Sequence, residues 1–218
     1  MSSMHIKWID NIRGLAFIGM VIHHIYYFYD VSHYTNFLSK NVEIIGSFSR
    51  YTFILLAGLS LYLSTKNNNF IKKRFNRSIK ILIHAFIISL VTYYVFPNEW
   101  IRFGILHFMA VATLILVFIA PSPILLIIAF ILFSIGIPKI NNTIDVITGG
   151  STPYSAVDWF PLNRYIPIMI GGVLIGHVLG DKLNFNIGSS KILEFIGNNS
   201  LELYTSHVLF LIGLNRFI

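Results

Sequence analysis

Residues 104–138 read GILHFMAVATLILVFIAPSPILLIIAFILFSIGIP, and this stretch decides the fold. It holds two apolar runs, 104–120 and 122–138, divided only by Ala120-Pro121-Ser122-Pro123. Proline has no N–H to donate and its ring clashes with the preceding turn. The pair therefore ends one helix and opens the next. Each run approaches the roughly 20 apolar residues that cross a bilayer. The same pattern recurs outward at 12–29, 45–64 and 79–96, and again at 165–180 and 200–217. The expectation is an all-α polytopic transmembrane helix bundle of about seven spans, built as a single domain over 1–218.

Composition agrees. Of 218 residues, 55% are hydrophobic and 11% charged, and the mean hydropathy is +0.71. A water-soluble domain of this size cannot cover so much apolar surface. The net charge of +7 does not point to nucleic acid, because the basic residues cluster beside apolar runs. Anionic headgroups and topology explain that placement. The absence of cysteine excludes disulfides, thiolate catalysis and thiolate metal sites. The first apolar stretch is too long for a signal-peptide core and is read as the first membrane helix.

Orientation follows from the loop after the second span, which carries Lys66, Lys72, Lys73, Arg74, Arg77 and Lys80 with no acidic residue. Such a loop stays cytoplasmic, and with it the N-terminus. The expected location is integral to the membrane, at the plasma membrane. The longest outer loop, 139–164, is too short for a soluble domain and reads as a lid or vestibule wall.

Ionisable side chains inside spans are costly and are candidates for function by default. In the first span, a turn of 100° per residue puts His23, Tyr27 and Asp30 on one face, and Arg13, Met20 and His24 on a neighbouring one. Arg13 and His24 are about 16 Å apart along the axis. The histidines therefore lie in the outer half of the membrane and Arg13 at its inner edge. An imidazole near a carboxylate suits general-base work, and His24 is preferred. An interfacial belt is the plain alternative. His107 opens the fourth span, with a packed, hydrogen-bonded histidine as its alternative. Asp158 precedes the sixth span and serves either a site or a helix cap. His207 lies inside the seventh, after a helix start at Asn198-Asn199-Ser200. His84 and His177 read as interfacial. Gly172, Gly176 and Gly180 form a ladder of small residues suited to close packing, within the chain or in a homodimer. No histidine spacing supports a metal site.

These segments, in this order, resemble the catalytic domain of the heparan-α-glucosaminide N-acetyltransferases and their small prokaryotic relatives. The matching pieces are Asp10-x-x-Arg13-Gly14-Leu-Ala with Met20 and His24, then Ala57-Gly58-Leu59-Ser60-Leu61-Tyr62, then Phe103-Gly104-Ile-Leu-His107. Asp158-Trp-Phe-Pro161 leads into Gly171-Gly172-Val-Leu-Ile-Gly176, and Ile196-Gly197-x-x-Ser200-Leu-x-x-Tyr204-x-x-His207 closes the series. The resemblance implies transfer of acetyl from cytosolic acetyl-CoA to an amino sugar, or another glycan or lipid acceptor, across the membrane. It places the active site at the outer end of the first span, with His23, His24 and His33 as alternatives for the base.

Residues and resemblance together suggest one scheme. Arg13, Lys72, Lys73, Arg74 and Arg77 hold the phosphates of acetyl-CoA. His24 is the base or a transient acetyl carrier. Asp30 or Asp158 holds its tautomer, and His107 and His207 polarise the thioester or the acceptor. A transporter or flippase for a lipid-linked or anionic solute, or a non-catalytic membrane subunit, are the alternatives.

Overall fold

A computed structural model describes residues 6–28, 36–136, 142–149, 158–183, 188 and 190–215. Every regular element among them is helical: α1 (Lys7–Phe28), α2 (Asn36–Thr65), α3 (Phe70–Val95), α4 (Ile105–Leu116), α5 (Pro123–Ile135), α6 (Asn142–Thr148), α7 (Leu162–Leu179), a 3-10 turn (Gly180–Leu183), α8 (Lys191–Asn198) and α9 (Ser200–Asn215). A helix meets each of the seven expected spans. Among the described residues, three are long and apolar enough to cross a membrane: Lys40–Thr65, Phe70–Val95 and Leu162–Leu179. The apolar helices Ile105–Leu116, Pro123–Ile135 and Ser200–Leu214 are shorter. α1 has the length, but Asn11, Arg13, His23 and His24 dilute its apolar run. The residues that make it a candidate for chemistry are those that weaken it as a span.

The proline break acts as expected. The Ser122 hydroxyl caps α5 by accepting from the Leu125 amide at 3.4 Å, and Pro123 is the first helical residue. Gly136, at φ 92°, ends the helix in a conformation that side chains rarely adopt. The loops hold more order than the sequence indicates. α6 lies inside the 139–164 loop, where the Trp159 indole N–H donates to the Val146 carbonyl at 2.7 Å. α8 lies between the sixth and seventh expected spans.

The chain divides into two compact units. One runs over residues 54–183 and the other comprises 5–53 and 184–218. In the first, Phe108, Ala110, Ala112 and Leu116 of α4 are buried with Tyr165, Ile166, Met169 and Ile170 of α7. The outward side stays apolar: Phe86, Leu90 and Tyr94 of α3 and Ile124, Ile128 and Leu132 of α5 are exposed. Surfaces of that kind face lipid, not water.

Lipid offers no hydrophobic reward for bringing two apolar helices together, so close backbone approach carries the packing. A Cβ on Gly58 would strike the Met169 carbonyl, and one on Gly172 the Leu55 carbonyl. Each glycine thus seats the backbone of the opposite helix, α2 on α7. Gly176 is filled by the Tyr62 ring. Two rungs of the glycine ladder are therefore used inside the chain, and Gly180 serves the turn that ends α7. The ladder no longer argues for a homodimer.

The second unit repeats the device. A Cβ on Gly14 of α1 would meet the Leu193 carbonyl of α8, and one on Gly197 of α8 would meet the Asp10 carbonyl of α1. Gly19 of α1 takes the Ser49 hydroxyl of α2, and Gly46 of α2 takes the His23 ring. α1 is thereby held at three levels, which fixes the rotation of the helix that carries the two adjacent histidines.

Candidate active site

Rotation of α1 separates His23 from His24. The His23 ring lies against Gly46 of α2, a packing position. His24 is turned toward α9, where its Nδ1 lies 2.9 Å from Nε2 of His207. The ring planes differ by only 10° with centroids 5.1 Å apart. The imidazoles thus meet edge to edge near a common plane, which places an N–H along a nitrogen lone pair. His207 is anchored in turn, its Nδ1 standing 3.1 Å from the Leu203 carbonyl one turn back in α9. Aromatic edges enclose the pair. Tyr204 is 5.9 Å from His24 and 5.2 Å from His207, and Phe17 stands edge-on to His207 at 5.4 Å. Both histidines are half-buried. Among the described residues, Nε2 of His24 has no hydrogen-bond partner. The hydroxyl of Tyr26, two residues on, is buried without a partner.

Lower in α1, Arg13 and Asp10 form an ion pair of 2.7 Å, both side chains largely buried. Its i,i+3 spacing puts both groups on one helix face. The Asn11 side-chain oxygen and one carboxylate oxygen of Glu194 are buried without partners. Asp30 and His33 lie outside the described residues.

The other candidates belong to the first unit. Nδ1 of His107 accepts from the Gly104 amide at 3.3 Å, and its Nε2 is 3.3 Å from the Ser89 hydroxyl. That hydroxyl donates to the Ile101 carbonyl at 2.6 Å. Both ring nitrogens are therefore committed, and His107 ties the start of α4 to α3. Asp158 accepts the Ile105 amide at 3.1 Å, an N-cap on α4 supplied from outside the helix. Its carboxylate also sits where a side chain on Gly104 would stand. His177 is not simply interfacial. It hydrogen-bonds the Ala120 carbonyl at 2.8 Å and packs on Tyr62 at 4.7 Å.

Among the basic candidates, Arg74 donates to the Ser60 carbonyl, while Lys72, Lys73 and Arg77 are exposed. Beside them an open groove of about 380 Å³ is lined by Asn68, Asn69, Phe70, Ile71, Lys72 and Phe75. No group of three or more metal-ligating side chains occurs among the described residues.

Sequence reading missed the seating of Gly14 on Leu193 and of Gly197 on Asp10, the Ser89 bond that completes His107, and the ring cage of Phe17 and Tyr204. Only the glycines left a signal, a glycine in each of two motifs. A family model described as heparan-alpha-glucosaminide N-acetyltransferase, catalytic, matches residues 5–209 of the chain. No curated protein and no solved structure matches it.

Proposed function

The chain belongs to the heparan-alpha-glucosaminide N-acetyltransferase catalytic family, and from that premise we propose that it is a transmembrane acetyltransferase with His24 as its general base. Acetyl-CoA is the donor, and an amino sugar on a glycan or lipid is the acceptor. The amine nitrogen attacks the thioester carbonyl. The C–N bond forms, the C–S bond breaks, the amine proton goes to Nε2 of His24, and CoA leaves as the thiolate. The phosphates of CoA are assigned to Lys72, Lys73 and Arg77, whose exposed ammonium and guanidinium groups suit that charge. The topology proposed has seven spans in the plasma membrane, with the N-terminus and the basic segment 66–80 cytoplasmic. A chain without cysteine is suited to testing this by single-cysteine labelling.

One observation carries the reading: an imidazole pair joined at 2.9 Å, from helices far apart in sequence, with one His24 nitrogen that has no partner among the described residues. The test is acetyl transfer from labelled acetyl-CoA to glucosamine by purified protein in detergent, alongside CoA binding. His24→Ala should abolish transfer and leave CoA binding. Normal turnover by that variant means His24 is misassigned, and absence of CoA binding favours a transporter. Label retained on the protein would convert the base into an acetyl carrier.

A further inference from the structure

We infer that His207 is the positioning residue of this site, fixing the tautomer of His24 and receiving the proton that His24 takes up. Its catalytic consequence rests on the acetyltransferase reading; the direction of the hydrogen bonds rests on geometry alone.

The Leu203 carbonyl sets the direction of both hydrogen bonds. A carbonyl oxygen only accepts, so Nδ1 of His207, at 3.1 Å, carries a hydrogen. A neutral imidazole with Nδ1–H has a lone pair at Nε2. That lone pair faces Nδ1 of His24 at 2.9 Å, so Nδ1 of His24 is the donor. His24 then has its own lone pair at Nε2, the nitrogen with no partner among the described residues. The reverse direction needs a second hydrogen on His207, hence a cation. Neither ring has a carboxylate partner among the described residues, and a half-buried unpaired cation inside a membrane helix is costly.

The resting order is therefore Leu203 C=O accepting from His207 Nδ1–H, and His207 Nε2 accepting from His24 Nδ1–H. When Nε2 of His24 takes a proton, its Nδ1 proton can pass to Nε2 of His207. His24 is then neutral with hydrogen on Nε2, and His207 is the imidazolium with both protons hydrogen-bonded. The positive charge moves one residue from the reacting atoms. A carboxylate does related work in hydrolase triads, orienting a histidine and stabilising its cation. Here a second imidazole does that work. Nearly coplanar rings favour the transfer, and Phe17 and Tyr204 hold His207 in that plane.

The test reads the tautomer directly. Purified protein labelled with 15N in its histidine rings is studied by NMR in detergent, and His24 is assigned from the signals lost in His24→Gln. The expected wild-type spectrum has hydrogen on Nδ1 and a bare Nε2 for both His24 and His207. His207→Gln keeps an acceptor oxygen, so His24 retains its tautomer. Its kcat falls by roughly tenfold to a hundredfold because an amide cannot take the proton, and the KM for acetyl-CoA is unchanged. His207→Leu removes the acceptor, so hydrogen appears on Nε2 of His24 and kcat falls further. A wild-type His24 with hydrogen on Nε2 and a bare Nδ1 overturns the inference, whatever the variants do. Unchanged kcat in His207→Leu overturns it too. If the tautomers are as expected but no acetyl transfer occurs, the acetyltransferase reading fails and the hydrogen-bond direction stands.

Discussion

Two half-buried histidines on different helices, His107 of α4 and His24 of α1, have opposite fates. In the first unit, His107 spends both nitrogens: the Gly104 amide donates to one, and Ser89 pairs with the other. In the second, His24 spends one nitrogen on His207, and its other nitrogen has no partner among the described residues. A buried polar group must be satisfied, and a fully satisfied one is a strut. Burial does not tell the two rings apart; the number of ring nitrogens left without a partner among the described residues does.

The largest effect should come from His24→Ala. Loss of a general base lowers transfer on the order of a hundredfold to ten-thousandfold, read as kcat with labelled acetyl-CoA, while CoA binding persists. Retained turnover would break the contrast at its centre. Next, the glycine seats common to both units should be intolerant of bulk. Gly14→Val and Gly58→Val each force a side chain against a backbone carbonyl and should cost about 1–3 kcal/mol or prevent folding, measured by thermal unfolding in detergent. Tolerance of both would mean that neither helix pair is as close as described.

His107→Ala sharpens the comparison further. It orphans the Gly104 amide and weakens the bridge to α3. It should cost about 1–3 kcal/mol of stability, with kcat of the folded fraction within a few-fold of wild type. An undiminished melting temperature with lost kcat would move His107 into the chemistry. The smallest effect belongs to the exposed cations. Lys72→Ala, Lys73→Ala and Arg77→Ala together should raise the KM for acetyl-CoA by roughly threefold to tenfold, the size expected of screened, exposed charges. kcat should hold, and added salt should shrink the difference.

Local signals made much of this visible in advance. Prolines at 121 and 123 announced the break between α4 and α5, and the Asn198-Asn199-Ser200 cluster announced the start of α9. The 100° turn also separated His23 from His24 correctly, the one to α2 and the other to α9. α6 and α8 were hidden because seven- or eight-residue helices make too few turns for a periodic pattern to stand out. Asp158 was readable as a cap or a site residue, yet the helix it caps begins at a distance of 53 positions.

Sequence alone determined that this chain is helical and apolar, resembles a membrane acetyltransferase family, and carries histidines within apolar runs. Those facts depend on composition, on periodicity within one helix, and on short motifs. The tertiary structure decided which imidazoles meet. His24 and His207 stand 183 positions apart, and no periodicity links them. The direction of their shared hydrogen bond follows from a backbone carbonyl at Leu203, an atom that every residue has. Its role comes from where folding puts it, because hydrogen-bond direction is set by geometry and not by residue type.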